Sequence, residues 1–148
     1  MSELRELYQS VILDHGRSPR NFGRLDASTA DACGHNPLCG DEVHVFLAMD
    51  GDTIRRAGFT GHGCAISTAS ASLLTEIVQG RTRHEATRIA HEFQKAVRGM
   101  EPQIDLGKLE VLLGVREYPT RAKCATLAWH ALLAALESPG QTVTTEVD

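Results

Sequence analysis

With 148 residues, a formal net charge of −4 and 5% aromatic residues, the chain fits one domain that buries roughly 68–70% of the surface its unfolded form exposes. No basic stripe interleaved with aromatics exists, so nucleic acid is excluded as an expected partner. No run of about 18 apolar residues is present, and the start Met1-Ser2-Glu3-Leu4-Arg5-Glu6 is charged and amphipathic, unlike a signal peptide, so the expected location is the cytoplasm, away from membranes.

Leu4, Leu7, Tyr8, Val11 and Ile12 mark one face of a helix from about residue 3 to 15, with Gly16 as its C-terminal cap. Arg17-Ser18-Pro19-Arg20-Asn21-Phe22-Gly23 is a loop of turn formers, and Arg17, Arg20 and Arg24 give it a positive bias, read as a solvated face before a docking one. Between Ala27 and Pro37 the pattern is weak, with Ala30, Ala32 and Cys33 compatible with a short strand. From there the signal is clear: Val43, Val45, Leu47 and Met49 alternate with Glu42, His44, Phe46 and Ala48. Asp50-Gly51 then marks a tight hairpin, and Thr53 to Thr60 returns as a second strand.

Gly61-His62-Gly63 reads as a flexible hinge, and from Cys64 the period becomes helical through Ile66, Ala69, Ser70, Leu73, Leu74 and Ile77, ending at Gly80. Thr82 and Glu85 have the spacing of a capping box for a helix closed by Gly99. Asp105 heads a short helix with Leu106, Leu109, Leu112 and Leu113, and a long helix spans roughly Arg121 to Glu137. The expected fold is α+β, a small three-stranded antiparallel sheet with helices packed on one face. It forms a single domain over 1–138, followed by a polar, disordered tail over 139–148.

Four cysteines in a chain of this size and expected compartment favour metal or redox chemistry over disulfides. Cys39, Asp41, Cys64 and Cys124 supply three sulfurs and one oxygen, a set zinc accepts, each at a structural junction. Strand periodicity turns Cys39 and Asp41 to one side, with Gly40 allowing close backbone approach. Cys64 and Cys124 read as lying near helix N-termini, and Arg121 and Lys123 add positive charge, so both thiols are expected to favour the thiolate. A carboxylate ligand suggests a site able to exchange ligands, since closed structural zinc sites use cysteine and histidine. On spacing alone the alternative stays open that these cysteines are small buried hydrophobes, which is the preferred reading for Cys33. His62 is a candidate substitute ligand or proton carrier, His130 should face away, and Trp129 is core or an interface anchor.

Four ordered stretches carry a resemblance: Leu13-Asp14-His15 with Pro19-Arg20-Asn21; Asn36-Pro37-Leu38-Cys39-Gly40-Asp41; Gly63-Cys64-Ala65-Ile66-Ser67; and Lys123-Cys124-Ala125-Thr126-Leu127-Ala128-Trp129. Together they resemble the NifU/IscU superfamily of iron-sulfur cluster assembly proteins. Within it the chain is more similar to the SufU branch than to the IscU scaffolds. Lys123 stands where scaffolds have a histidine, the stretch from Cys64 to Cys124 is long with Gly80 to Gly99 looking like the SufU insertion, and no Leu-Pro-Pro-Val-Lys segment is present.

This resemblance implies a zinc-dependent sulfur acceptor, with Cys39 as the nucleophile and Cys39, Asp41, Cys64 and Cys124 as zinc ligands. It implies a SufS-type cysteine desulfurase as donor, one of whose histidines replaces Cys39 on the zinc upon docking, and downstream iron-sulfur assembly proteins as recipients. The rival expectation is a scaffold on which iron or a [2Fe–2S] cluster is held by the same sulfurs.

Overall fold

The computed structural model describes residues 2–37, 40–137 and 142–144. Its elements are helix α1 (Ser2–Arg17), strands β1 (Ala30–Asn36), β2 (Asp41–Asp50) and β3 (Thr53–His62), helices α2 (Ala65–Val78) and α3 (Arg83–Val97), a 3-10 helix (Gly107–Glu117), helix α4 (Pro119–Glu137) and a short strand β4 (Thr142–Thr144).

The β2–β3 hairpin closes at the pair Asp50–Thr53, and β1 pairs antiparallel with β2 from Ala30–Leu47 to Asn36–Asp41. The three-stranded antiparallel sheet expected from sequence is therefore present, and β4 extends it by pairing parallel with β1, in the order β3-β2-β1-β4. The expected disorder of the tail does not hold for Thr142–Thr144, where β-prone residues meet the free edge of β1. Residues 138–141 and 145–148 lie outside the described residues.

Alternation along β2 sends Asp41, Val43, Val45 and Leu47 inward, where they are buried, and Glu42 and His44 to the opposite face. In β1 the inward residues are Ala30, Ala32, Gly34 and Asn36. Small side chains are needed there because α4 packs closely: a Cβ on Gly34 would come within 3.0 Å of Leu127. The core between sheet and helices is filled by Leu47, Ile54, Leu73, Leu74, Phe93, Leu109, Leu127, Trp129 and Leu132 among others. Trp129 is fully buried, and its indole N–H donates to Ser70 Oγ at 3.2 Å while Ser70 Oγ donates to the Ala125 carbonyl at 2.5 Å.

Capping supports the helices as the sequence suggests. Thr82 and Glu85 form a reciprocal capping box at α3, whereas Asp105 accepts a bond from the Gly107 amide at 2.8 Å, just ahead of the 3-10 helix.

The outer edge of β3 is covered. Phe59 exchanges backbone bonds with Gly23 and Asn21, and Ile54 does so with Arg81 and Gly80, which removes an edge open to aggregation. The Asp14-His15 and Arg20-Asn21 motifs hold this covering loop on α2. His15 Nδ1 lies 2.7 Å from Ser72 Oγ, the Arg20 amide donates to the same oxygen at 2.8 Å, and Asn21 Nδ2 donates to Thr75 Oγ1 at 3.0 Å. Asn21 itself has φ 57°, a left-handed conformation that asparagine tolerates.

Candidate metal centre

Asp41, Cys64 and Cys124 meet where the start of β2, the start of α2 and the second turn of α4 converge. One ligand atom from each lies within 4.8 Å of the others. A tetrahedral zinc site with metal–ligand bonds of about 2.0–2.3 Å has ligand–ligand edges of about 3.3–3.8 Å, a spacing of the same order as that of this set.

Each ligand is positioned by local structure. Asp41 opens β2 opposite Asn36, the turn before it is closed by the Gly40 amide donating to the Asn36 carbonyl at 2.8 Å, and Gly40 adopts φ 74°. That left-handed conformation suits glycine. Cys64 is the N-cap of α2, its Sγ accepting from the Ser67 amide at 3.4 Å, and its own amide donates to Asp41 Oδ1 at 3.3 Å. Gly63 makes this approach possible: a Cβ there would sit 2.9 Å from the Asp41 carboxylate.

Cys124 is buried, and Asn36 Nδ2 donates toward its sulfur at 3.8 Å. The expectation of a lowered thiol pKa fails for Cys124. Helix α4 begins at Pro119, so Cys124 sits deeper than the N-terminal positions that favour thiolates. Burial pushes its thiol strongly upward, the Asp41 carboxylate and Cys64 reinforcing that shift.

The donor set fits a cation. Asp41 is 3% exposed, and its Oδ2 is buried without a hydrogen-bond partner among the described residues. Such an oxygen is costly to bury unless something positive meets it. The residues that could hold zinc are Asp41, Cys64 and Cys124. Cys39, the fourth ligand expected from sequence, lies outside the described residues.

The other sequence candidates fall elsewhere. His62 is exposed, with Nε2 3.5 Å from Glu42 Oε2, and is absent from the cluster. His130 bonds Gln94 at 3.2 Å, away from the three ligands. Cys33 lies half-buried on the outer face of the sheet rather than in the core, its thiol 3.5 Å from Glu42 Oε1 and pushed up to about 11 by burial and by that carboxylate. Gly61 is no free hinge: it pairs with Val43 inside β3, and a Cβ there would collide with the Glu42 carbonyl oxygen. Asn36 enters the sequence reading only as the first residue of the Asn36-Pro37-Leu38-Cys39-Gly40-Asp41 stretch, without a site role of its own, whereas the structure aims its amide at the Cys124 sulfur. Its place three residues before Cys39 in a turn sequence was the one available signal for an amide aimed at the site.

Comparison with known proteins adds the relationship. The model of the NifU-like N terminal domain matches residues 7–138. The chain belongs to this family, within the NifU/IscU superfamily of iron-sulfur cluster assembly proteins. It is 42% identical to the iron-sulfur cluster assembly scaffold protein IscU of Streptococcus pyogenes serotype M1, over 93% of this chain and 87% of that protein. It is also 42% identical to the zinc-dependent sulfurtransferase SufU of Bacillus subtilis, over 88% of this chain and 90% of that protein. Among solved structures it superposes with a TM-score of 0.83 on a protein from Fervidobacterium islandicum AW-1 described as a putative iron-sulfur cluster assembly scaffold protein for the SUF system. That match has 34% identity and covers 90% of this chain and 98% of that one. Among the described residues, no helix is long and apolar enough to cross a membrane.

Proposed function

We propose that this protein is a zinc-dependent sulfurtransferase that accepts persulfide sulfur from a SufS-type cysteine desulfurase and passes it to downstream iron-sulfur assembly proteins. The observation that carries the reading is the meeting of Asp41, Cys64 and Cys124, with a buried carboxylate oxygen left for a cation. Similarity over most of the chain to a protein named as a zinc-dependent sulfurtransferase supports it.

In this reading Cys39, Asp41, Cys64 and Cys124 would hold zinc. Bound zinc keeps the thiols deprotonated at neutral pH and shields them from oxidation. That fits Cys124, whose surroundings otherwise hold it protonated. Asp41, the one oxygen donor, would keep the ligand set open to exchange, and Cys39 would give up its place in that set to a desulfurase histidine before it attacks.

Cys39 is the acceptor. Its thiolate attacks the terminal sulfur of the desulfurase persulfide, a new S–S bond forms as the old one breaks, and the desulfurase thiolate departs. The sulfane sulfur moves without net oxidation, and Cys39 becomes the persulfide. The reading belongs to the cytoplasm, where thiols stay reduced.

A second reading, a scaffold for a [2Fe–2S] cluster, is favoured by the equal identity to a protein named as an IscU scaffold. Lys123 beside Cys124 supports the sulfurtransferase instead, because it occupies the position of the histidine by which the sequence resemblance distinguishes scaffolds. Protein purified without air tests the two. The sulfurtransferase is colourless, contains zinc and stimulates a cysteine desulfurase, whereas the scaffold is coloured by iron and sulfide.

A further inference from the structure

At the far end of β2 from Asp41, a cavity of about 200 Å³ opens between Arg24, Arg55 and Arg56, with Asp26 and Ala48 also in its wall. Ala48 and Asp41 belong to the same strand, and at about 3.3 Å per residue the cavity lies roughly 23 Å from the candidate metal centre.

A β-bulge creates the cluster. Ala48 pairs with Arg56 and Met49 with Ile54, so Arg55 is an extra residue in β3. An extra residue breaks the two-residue alternation and re-aims side chains. Arg55 and Arg56, neighbours in the chain, are accordingly both exposed and both line the cavity.

The third cation arrives on a clamped loop. The Gly23 amide donates to the Phe59 carbonyl at 2.7 Å, and the Phe59 amide donates to the Asn21 carbonyl at 3.2 Å. Gly58 lies so close beneath that a Cβ would meet the Gly23 carbonyl oxygen at 2.9 Å. Arg24 follows this clamp with its guanidinium 5.4 Å from the centre of the Phe46 ring.

Arg20, Arg81 and Arg83 have carboxylate partners in Asp14, Glu85 and Asp52, whereas several other exposed arginines, Arg17, Arg88, Arg98, Arg116 and Arg121, have none among the described residues but stand apart from one another in the sequence. Among the described residues, Arg24, Arg55 and Arg56 have none, although Asp26 shares the cavity. Three guanidinium groups without a carboxylate partner, that of Arg24 lying over the Phe46 ring, therefore line one opening on a protein whose net charge is −4.

We propose that this arginine notch is a docking point for an acidic segment of a partner protein, one that presents consecutive glutamate or aspartate side chains. Guanidinium groups match carboxylates in a fork-to-fork geometry. The walls are a loop and strands β2 and β3, without the helix N-terminus or converging backbone amides that usually enclose a free phosphate. A local cationic notch on an acidic protein steers one acidic partner surface without attracting polyanions in general. A partner held there leaves the face with Asp41, Cys64 and Cys124 open to a second protein.

The test is a titration of the isotope-labelled full chain with a hexaglutamate peptide, followed by amide NMR shifts, with inorganic phosphate in a parallel arm. The expected result is saturable shifts at Ala48, Arg55 and Arg56 that weaken in roughly 0.3 M salt. Binding weakens about tenfold or more in the double variant Arg55→Gln, Arg56→Gln, which keeps dispersed native spectra and wild-type zinc content. Shifts that are absent, indifferent to the double variant, or reproduced in full by phosphate at the same concentration overturn the proposal.

Discussion

The Cys64 amide donates to Asp41 Oδ1 at 3.3 Å, and Asp41 Oδ2 is buried with no hydrogen-bond partner among the described residues. One carboxylate oxygen thus fixes the carboxyl group against α2 while the other is left over. The division of labour separates metal affinity from metal-free stability. Asp41→Asn retains an oxygen for the Cys64 amide but removes the buried charge. The expected outcome is a loss of zinc affinity of about tenfold or more, read by competition with a chromophoric chelator. In metal-free protein the same variant is as stable as wild type or more so in urea, because an uncompensated buried charge has gone.

Gly63 faces that carboxylate closely enough for a single methyl group to disturb it. Gly63→Ala is expected to weaken zinc binding and to cost about 1–3 kcal/mol of stability through overpacking. Chelator competition and urea unfolding measure the two effects. An unchanged zinc affinity would mean that the Asp41 side chain does not need its present position.

For Cys64→Ser and Cys124→Ser, zinc content by elemental analysis falls well below that of wild type, and thermal stability falls with it, because a bound metal stabilises only the folded state. Cys124→Ser behaves as the stronger lesion. Its sulfur is buried and receives Asn36 Nδ2, whereas Cys64 is exposed.

His15 supplies a pH dependence away from the metal centre. Its ring is buried against Ser72, and burial first, then the positive charge of Arg20, hold its pKa below the ordinary histidine value, against opposing pulls from Glu76 and Asp14 and with a small push from Lys108. The folded state therefore binds fewer protons than the unfolded chain. The contribution is fully present above the unfolded value of about 6.5 and is lost as pH falls through the lowered folded pKa. In chelator-treated protein, the urea midpoint drops between pH 7.5 and 5.5, and His15→Gln flattens that drop.

Cys33 is predicted to be a bystander. With its thiol pushed up to about 11, it alkylates slowly at pH 8, and Cys33→Ala accepts persulfide sulfur as wild type does. Mass spectrometry of alkylated and of sulfur-loaded protein reads both outcomes.

Much of this molecule is written in local patterns. The alternation from Val43 to Met49, the hairpin residues at Asp50-Gly51 and the Thr82–Glu85 box all match the structure, because each is a property of neighbours in the chain. Strand β1 is faint in sequence because its inward positions are alanine, glycine and asparagine, chosen by the approach of α4 rather than by hydrophobic periodicity. Strand β4 rests on three residues and is too short to signal itself.

At the candidate site, one possible ligand atom from each of Asp41, Cys64 and Cys124 lies within 4.8 Å of the others, and their role as metal ligands is part of the proposal. For Cys124 the sequence points to a favoured thiolate, whereas burial, reinforced by the Asp41 carboxylate and by Cys64, pushes the metal-free thiol upward. Sequence reading also takes Gly61 for a hinge, where the requirement is the close passage of Glu42 on the neighbouring strand.

The central claim is that Cys39 takes sulfur from a desulfurase persulfide, and the most direct measurement is the desulfurase assay with cysteine, comparing wild type with Cys39→Ala. Wild type is predicted to stimulate turnover and to carry a persulfide detectable by mass, while Cys39→Ala, folded and with Cys64 and Cys124 intact, does neither. A Cys39→Ala protein that still stimulates the desulfurase and still carries persulfide would contradict the account.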